Sequence, residues 1–251
     1  MIRRALAAAA LLVATPAGAA LSARELAQAV AAPPAGATLP PSLAFTDQRG
    51  GRTTLGAVAG GRPLVLIFAD FTCRHICAPG LTMAAGALAA TGLAPGRDFA
   101  FAVVGIDPRD TPADARHLAE GVAPPTLARA TALLSGDAAT VRAATRALGY
   151  GYVYDAANDQ FAHDAAVYVF APDGRLTALL PELALQPVTL KAALTGGEPV
   201  KQSFADRVAH LCYGFAAAHG RFGRPVVMGL QGLSLLLLVG AGLFFWRRRT
   251  A

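Results

Sequence analysis

The sequence predicts an α/β domain with a mixed sheet flanked by helices. Apolar runs of strand length alternate with segments of helical pattern, which favours parallel strands joined by helices. Near the end of this region two β-rich runs flank Pro172-Asp-Gly174, which indicates an antiparallel hairpin closing the sheet. The patterned region of about 160 residues is long enough for one domain with a hydrophobic core. We place this domain at residues 43–197.

The first 19 residues have the layout of a secretory signal peptide. Arg3 and Arg4 precede an apolar, alanine-rich stretch at 5–13, and the small residues Ala17-Gly-Ala19 follow. The apolar stretch is shorter than the roughly 20 residues that cross a bilayer, so an uncleaved anchor is the weaker alternative. We expect cleavage after Ala19 and a linker over 20–42.

The other end of the chain predicts a transmembrane helix at 226–246. These 21 residues carry no charge, and at a rise of 1.5 Å per residue they span the ~30 Å of a bilayer core. Three arginines at 247–249 follow at once. Arginines beside a membrane span favour the cytoplasmic side. We therefore expect a single-pass protein of a bacterial-type inner membrane, with a juxtamembrane segment at 198–225, the domain in the periplasm and residues 247–251 in the cytoplasm.

The net charge does not indicate a nucleic-acid partner. The chain carries +6, but two arginines belong to the signal peptide and three to the anchor, which leaves +1 for residues 5–246. Without a basic footprint on the folded part, nucleic-acid binding loses its main support.

The elements of the domain follow from local patterns. Residues 45–51 indicate a strand and turn, and the apolar run 64–68 indicates a buried strand. Thr111 before Pro112 and Asp114 has the pattern of a helix start, with an N-cap hydroxyl, an early proline and an acid near the positive end of the dipole. The remaining predictions are a helix at 79–91, strands at 99–106 and 133–134, a helix capped by Asp137, an extended piece at 152–154, hairpin strands at 165–170 and 176–180, and a helix at 186–194.

Cys73 and Cys77 are a candidate metal or redox site because they follow the buried strand directly. On a helix, residues four apart lie on one face about 5 to 6 Å apart at Cβ, so both sulfurs could converge on one soft ion or oxidise together. The only other cysteine is Cys212. So few thiols in an exported chain argue against a disulfide scaffold and leave a reactive pair.

His163 is the strongest candidate for a third group at this site. It is expected in the loop that leads into the hairpin strand, and loops at strand ends present functional groups in α/β folds. A lone histidine before a strand is more often an ordinary surface residue, so position alone leaves its role open. Asp107, Asp110 and Asp114 are interpreted as turn and cap residues without a chemical role.

Four motifs in this order resemble the Sco family of copper chaperones for cytochrome c oxidase. The resemblance covers residues 43–195. The motifs are the strand 64–68 with Cys73-x-x-x-Cys77, the run Val104-Gly-Ile-Asp107-Pro-Arg-Asp110-Thr-Pro112, His163, and Tyr168-Val-Phe-Ala-Pro-Asp173-Gly. The resemblance implies a thioredoxin-like fold and one copper ion, Cu(I) or Cu(II), bound by Cys73, Cys77 and His163. It also implies delivery to the copper-bearing subunit of cytochrome c oxidase, with other copper carriers or thiol reductants as further partners.

The donor chemistry agrees with this implication. Two thiolates and an imidazole suit Cu(I) and can hold Cu(II), whereas Mg²⁺ and Ca²⁺ prefer oxygen ligands. Zinc remains the competing ion, with Asp164 or water as a fourth ligand. The chain is then a metallochaperone and not an enzyme in the sense of turnover.

The alternative function is a thiol-disulfide oxidoreductase that uses Cys73 and Cys77 as a redox pair and reduces cysteines of an oxidase subunit or another exported protein. Two departures from the family keep this alternative open: Ala78 separates Cys77 from Pro79, and the spacer between the cysteines is basic. A third departure, the expected C-terminal position of the anchor, changes the tether only.

Overall fold

The computed structural model describes residues 21–73, 77–120, 125–182 and 185–197, together with Gly232. The chain was expected to carry a signal peptide at 1–19 and an anchor at 226–246, and both lie outside the described residues, apart from Gly232. Within the described part, no helix is both long enough and apolar enough to cross a bilayer. The elements are α1 (Ala23–Leu26), β1 (Ala44–Asp47), β2 (Arg52–Thr54), α2 (Leu55–Ala59), β3 (Leu64–Ala69), α3 (Cys77–Ala90), β4 (Ala100–Gly105), α4 (Pro112–Glu120), α5 (Pro125–Ala130), β5 (Thr131–Ser135), α6 (Ala138–Ala147), β6 (Tyr152–Asp155), β7 (Gln160–His163), β8 (Ala166–Phe170), β9 (Leu176–Pro181) and α7 (Pro187–Thr195).

A seven-stranded mixed sheet forms the centre of the described domain, in the order β2-β1-β5-β4-β3-β8-β9. Strands β3, β4 and β5 are parallel neighbours, because α3 and the α4–α5 region return the chain to the same end of the sheet. The edge pairs β8–β9 and β1–β2 are antiparallel. The mixed sheet, its flanking helices and its closing hairpin are therefore confirmed.

Strand β3 is buried along its whole length because helices cover both faces of the sheet. All six of its residues are buried, which explains why the sequence shows a continuous apolar run without alternation. Val65 and Ile67 point to a core layer formed with α3, α4, α5 and α7. Leu66 and Phe68 point to a second layer formed with α2 and α6. Successive residues of one strand thus fill opposite layers.

Two helix starts confirm the capping patterns in the sequence. At α4 the hydroxyl of Thr111 and the carboxylate of Asp114 bond to each other's backbone N–H groups, the reciprocal arrangement of a capping box. At α6 the carboxylate of Asp137 accepts from Thr140 N at 2.7 Å. Both caps satisfy amides that lack partners within the helix.

The segment expected as a linker lies against the domain. Leu39 is buried, and its N–H donates to Gly174 O at 2.8 Å. Ala32 N donates to Gly149 O at 2.8 Å. Short apolar side chains can fill gaps at the rim of a core, and the alanine- and proline-rich composition gives no pattern that reveals this packing.

Candidate metal site

Cys73 and Cys77 lie where strand β3 ends and helix α3 begins. Cys73 is in the turn after β3, where its N–H donates to Asp70 O at 3.2 Å, and its side chain packs against the core layer beneath α3. Cys77 is the first residue of α3. The helical spacing considered for the pair is therefore wrong, because Cys73 precedes the helix. Residues 74–76 and the side chain of Cys77 lie outside the described part of the structure.

His163 is the last residue of strand β7, so its expected position in a loop is wrong. It pairs with Tyr152 of β6 in an antiparallel hairpin. Sequence patterns favoured a loop because the hairpin strands have only four residues each and are only partly buried. The hairpin fixes the histidine backbone more firmly than a loop would, since each strand supports the other.

A buried tyrosine orients the imidazole of His163. The Tyr150 hydroxyl lies 2.7 Å from Nδ1 of His163 and donates to Asp164 O at 2.8 Å. Nδ1 also lies 3.0 Å from Asp164 O. Because the hydroxyl has one proton and Asp164 O can only accept, this arrangement favours a proton on Nδ1. The neutral imidazole then carries its lone pair on Nε2, the form in which histidine binds a metal.

The same tyrosine connects His163 to the strand that precedes the cysteines. The Tyr150 ring stacks on Phe68 of β3 with the centroids 4.5 Å apart. Its hydroxyl also lies 3.4 Å from Phe68 O. Phe68 is five residues before Cys73, so one side chain contacts both the strand that leads to the cysteines and the histidine. This contact links the histidine hairpin to the strand that leads to the cysteines.

Arg109 attaches the tip of the His163 hairpin to the end of strand β4. Its guanidinium bonds to both carboxylate oxygens of the buried Asp107 and reaches Asp159 in the hairpin turn at 3.0 Å. It also lies over the Tyr154 ring, 5.3 Å from the centroid. The Tyr154 hydroxyl donates to Asp159 at 2.6 Å. The hairpin is thus held at its tip by Arg109 and at its base by Tyr150.

Three aspartates meet beside the cysteine turn. Ligand-capable oxygens of Asp70, Asp107 and Asp110 all lie within 4.8 Å of one another, and the residues are only 2%, 3% and 8% exposed. Asp107 accepts from Arg109 N, and Asp114 caps α4, so the turn and cap interpretation holds for these two residues. It does not account for Asp110. Burial raises the pKa of Asp110 to about 7 against the effect of Phe71 N, which donates to it.

Glu182 is a buried acid near the start of α3 that sequence reasoning missed. It is 6% exposed, and burial raises the pKa of its carboxyl to about 8. Its Oε1 lies 2.9 Å from the point where a Cβ on Gly80 would be, so the carboxyl packs directly on the first turns of α3. A single acid at the end of a strand is usually exposed, so nothing in its sequence neighbours indicated this burial.

Tyr150 and Asp70 were also missed, although each had a signal. Asp70 follows the buried strand directly, in the position where α/β folds present functional groups. Tyr150 begins the run Tyr150-Gly-Tyr-Val-Tyr154 just before the histidine hairpin. His75 and Cys212, weighed as weaker candidates at the sequence level, lie outside the described residues.

Comparison with known proteins identifies the family of the chain. The SCO1/SenC family profile matches residues 32–195. No curated protein sequence matches. Among solved structures, ScoI of Bradyrhizobium japonicum with copper bound is 23% identical, covers 67% of this chain and 99% of its own, and superimposes with a TM-score of 0.51.

Two further structures have the same fold. BsSco, described with a disulfide switch and as a member of the Sco family of cytochrome c oxidase assembly proteins, is 19% identical, covers 67% of this chain and 97% of its own, and gives a TM-score of 0.54. A SCO1/SenC family lipoprotein of Bacillus anthracis is 17% identical, covers 64% of this chain and 98% of its own, and gives 0.53. The match begins at residue 32, inside the segment packed against the domain, and ends at the last residue of α7. With its thioredoxin-like mixed sheet, this chain belongs to the SCO1/SenC family.

Proposed function

We propose that this protein binds one copper ion through Cys73, Cys77 and His163 and delivers it to the dinuclear copper centre of cytochrome c oxidase. The observation that carries the proposal is the fixed orientation of His163, held by Tyr150 against the strand that leads to the cysteines. Membership of the SCO1/SenC family and the copper bound to ScoI of B. japonicum support the choice of metal.

The donor set is suited to copper as cargo. Thiolates and imidazole form a soft set that favours Cu(I) and accepts Cu(II). An imidazole with Nδ1 engaged by Tyr150 and Asp164 O presents Nε2 as its donor atom. Both thiols must lose their protons when they bind the metal, so copper uptake depends on pH and on the redox state of the pair.

We also propose the topology given by the two ends of the chain. A signal peptide at 1–19 and an anchor at 226–246 would hold the domain at 43–197 in the periplasm, with the juxtamembrane segment 198–225 between them and the tail at 247–251 in the cytoplasm. The net charge of residues 5–246 is only +1. This small charge supports a protein partner instead of nucleic acid. Proteolysis of spheroplasts with an antibody to each end tests this topology, because the proposed orientation leaves only the C-terminal tail protected.

A copper competition experiment tests the main proposal. Reduced full-length protein in mild detergent is mixed with one equivalent of Cu(I) and a competing chelator. We expect the wild type to retain copper and the Cys73→Ser/Cys77→Ser double variant to lose it. Equal and poor retention by both proteins would show that the proposal is wrong.

The second candidate function is reduction of a disulfide in the target protein by Cys73 and Cys77. The disulfide switch described for BsSco favours it as the alternative. In this reaction both thiols are oxidised to a disulfide while the target disulfide gains two electrons and two protons. His163 distinguishes the functions, since the dithiol reaction does not require it. Reductase activity that survives His163→Ala but not Cys77→Ser, in protein without copper, would favour the alternative.

A further inference from the structure

Three buried carboxylates lie close together at the ends of strands β3 and β4. The strands are parallel neighbours with Ala69 opposite Gly105, so both continue past the same edge of the sheet. Asp70 follows β3, while Asp107 and Asp110 follow β4, and all three are more than nine-tenths buried. Like charges repel strongly where water is excluded, so this arrangement requires positive charge or protons nearby.

Two of the carboxylates have partners that account for their positions. Oδ1 of Asp70 accepts from the N–H and from the hydroxyl of Thr72, both at 3.0 Å. Asp107 forms a salt bridge to Arg109 at 2.7 Å. Among the described residues, Arg109 is the single cation that contacts the cluster, and it also forms an ion pair with Asp159. The positive charge of one guanidinium is therefore less than the negative charge of three ionised carboxylates.

The third carboxylate has an oxygen without a partner. Oδ2 of Asp110 accepts from Phe71 N at 3.2 Å. Its Oδ1 is buried and has no hydrogen-bond partner among the residues that the structure describes. A buried carboxylate oxygen normally accepts a hydrogen bond or binds a cation, because such a contact compensates for the lost hydrogen bonds to water. The turn and cap roles of the neighbouring acids leave this oxygen unexplained.

We propose that Asp70, Asp107 and Asp110 bind one hard divalent cation of the size of Mn²⁺ or Ca²⁺. Carboxylate oxygens are the ligands that such ions prefer. Oxygens on opposite sides of a Ca²⁺ ion are about 5 Å apart, twice the ligand distance, so three oxygens within 4.8 Å of one another can share one ion. The cation supplies the unpartnered oxygen of Asp110 with a ligand bond and offsets the excess negative charge.

This site is separate from the proposed copper site and does not depend on it. Copper would be bound by sulfur and nitrogen, and the cluster offers oxygen alone. The two sites are nevertheless linked by the cysteine turn, since the same Asp70 bonds to Thr72 with its side chain and to Cys73 N with its carbonyl oxygen. A cation at the cluster would therefore stabilise the turn that presents Cys73.

Titration with Mn²⁺ alone, followed by the electron paramagnetic resonance signal of the free ion, tests the proposal on the full-length chain in mild detergent. We expect wild type to bind one Mn²⁺ per chain, and Ca²⁺ to displace it. In Asp110→Asn we expect the Mn²⁺ affinity to fall by about tenfold or more. Asp70→Asn should have the same effect. In both variants an amide oxygen can still accept from the backbone N–H that bonds to the carboxylate.

Two controls separate this site from other causes. Asp114→Asn changes a nearby, partly exposed cap acid and should keep the bound Mn²⁺. Cys73→Ser/Cys77→Ser should also keep it, while losing Cu(I) if the proposed function is right. Circular dichroism verifies that each variant is folded. The proposal is overturned if folded wild type binds no Mn²⁺ at millimolar concentration, which would leave a proton on Asp110 as the neutralising group, or if Asp110→Asn and Asp70→Asn bind as tightly as wild type.

Discussion

Replacement of Tyr150 by phenylalanine isolates the contact that orients His163. Phenylalanine keeps the ring that stacks on Phe68 and removes the hydroxyl alone. The hydroxyl lies 2.7 Å from Nδ1 of His163 and 2.8 Å from Asp164 O, and the tyrosine is buried. The change therefore leaves the packing intact and removes the hydroxyl contacts to the imidazole and to Asp164 O, while the contact between Nδ1 and Asp164 O remains.

The size of the effect follows from these contacts. Removal of a partner from a buried polar group lowers the free energy of unfolding by about 1–3 kcal/mol. Loss of a residue that orients a metal-binding histidine lowers metal affinity by about 10–100-fold. For Tyr150→Phe we expect both effects, and we expect the loss of Cu(II) affinity to exceed the loss of Cu(I) affinity, because Cu(II) depends more on the nitrogen donor.

Tyr168→Phe is the matched control. Tyr168 is also buried, packs edge-on against the same Phe68, and donates its hydroxyl to Leu148 O at 3.1 Å. Loss of this hydroxyl should lower the free energy of unfolding by about 1 kcal/mol without a change in copper affinity. Chelator competition for Cu(I), the visible spectrum of the Cu(II) form and urea unfolding are measured for wild type and both variants.

Two results would contradict the role of Tyr150 in orienting His163. If Tyr150→Phe and Tyr168→Phe weaken copper binding equally, Tyr150 contributes only general stability and does not position His163. If Tyr150→Phe lowers stability but leaves the Cu(II) spectrum unchanged, the imidazole is oriented by other contacts.

Three further changes test other parts of the structure. The pKa of Asp110 is raised from 3.8 to about 7, so the protonated carboxyl favours the fold. In the presence of EDTA, this group alone should cost the fold up to about 4 kcal/mol as the pH rises from about 4 to about 7. Glu182, whose pKa burial raises to about 8, adds a loss in the same direction, so urea unfolding should show a smaller loss in Asp110→Asn than in wild type, and equal losses would contradict the assignment. Gly80→Ala should destabilise by about 1–3 kcal/mol, because the new methyl group meets the Glu182 carboxyl at 2.9 Å. The control Gly86→Ala, in open space on the same helix, should stabilise by about 0.5–1 kcal/mol, and equal effects would show that Glu182 can move away. Asp137→Ala should lower the unfolding midpoint through loss of an N-cap worth about 1 kcal/mol, and a change under about 0.3 kcal/mol would show that the cap is replaced by water.

Patterns that act over short distances predicted most of the fold. The buried strand β3, the hairpin β8–β9 and the caps of α4 and α6 follow from side chains within a few residues, so local sequence contains the necessary information. The short elements α2, β7 and α5 were missed. Each has four to six residues, which is too short for a period to be recognised, and tertiary contacts stabilise them.

The sequence alone determined the types of donor, their order along the chain and the strand that places Cys73, because these depend on residue identity and local pattern. Only the tertiary structure decided which groups surround them. Tyr150 contacts His163 from 13 positions away and Phe68 from 82 positions away, and Asp110 meets Phe71 across 39 positions. Contacts of this kind arise when the folded sheet brings strand ends together. Their partners are therefore set by the topology of the chain, which the spacing along the sequence does not reveal.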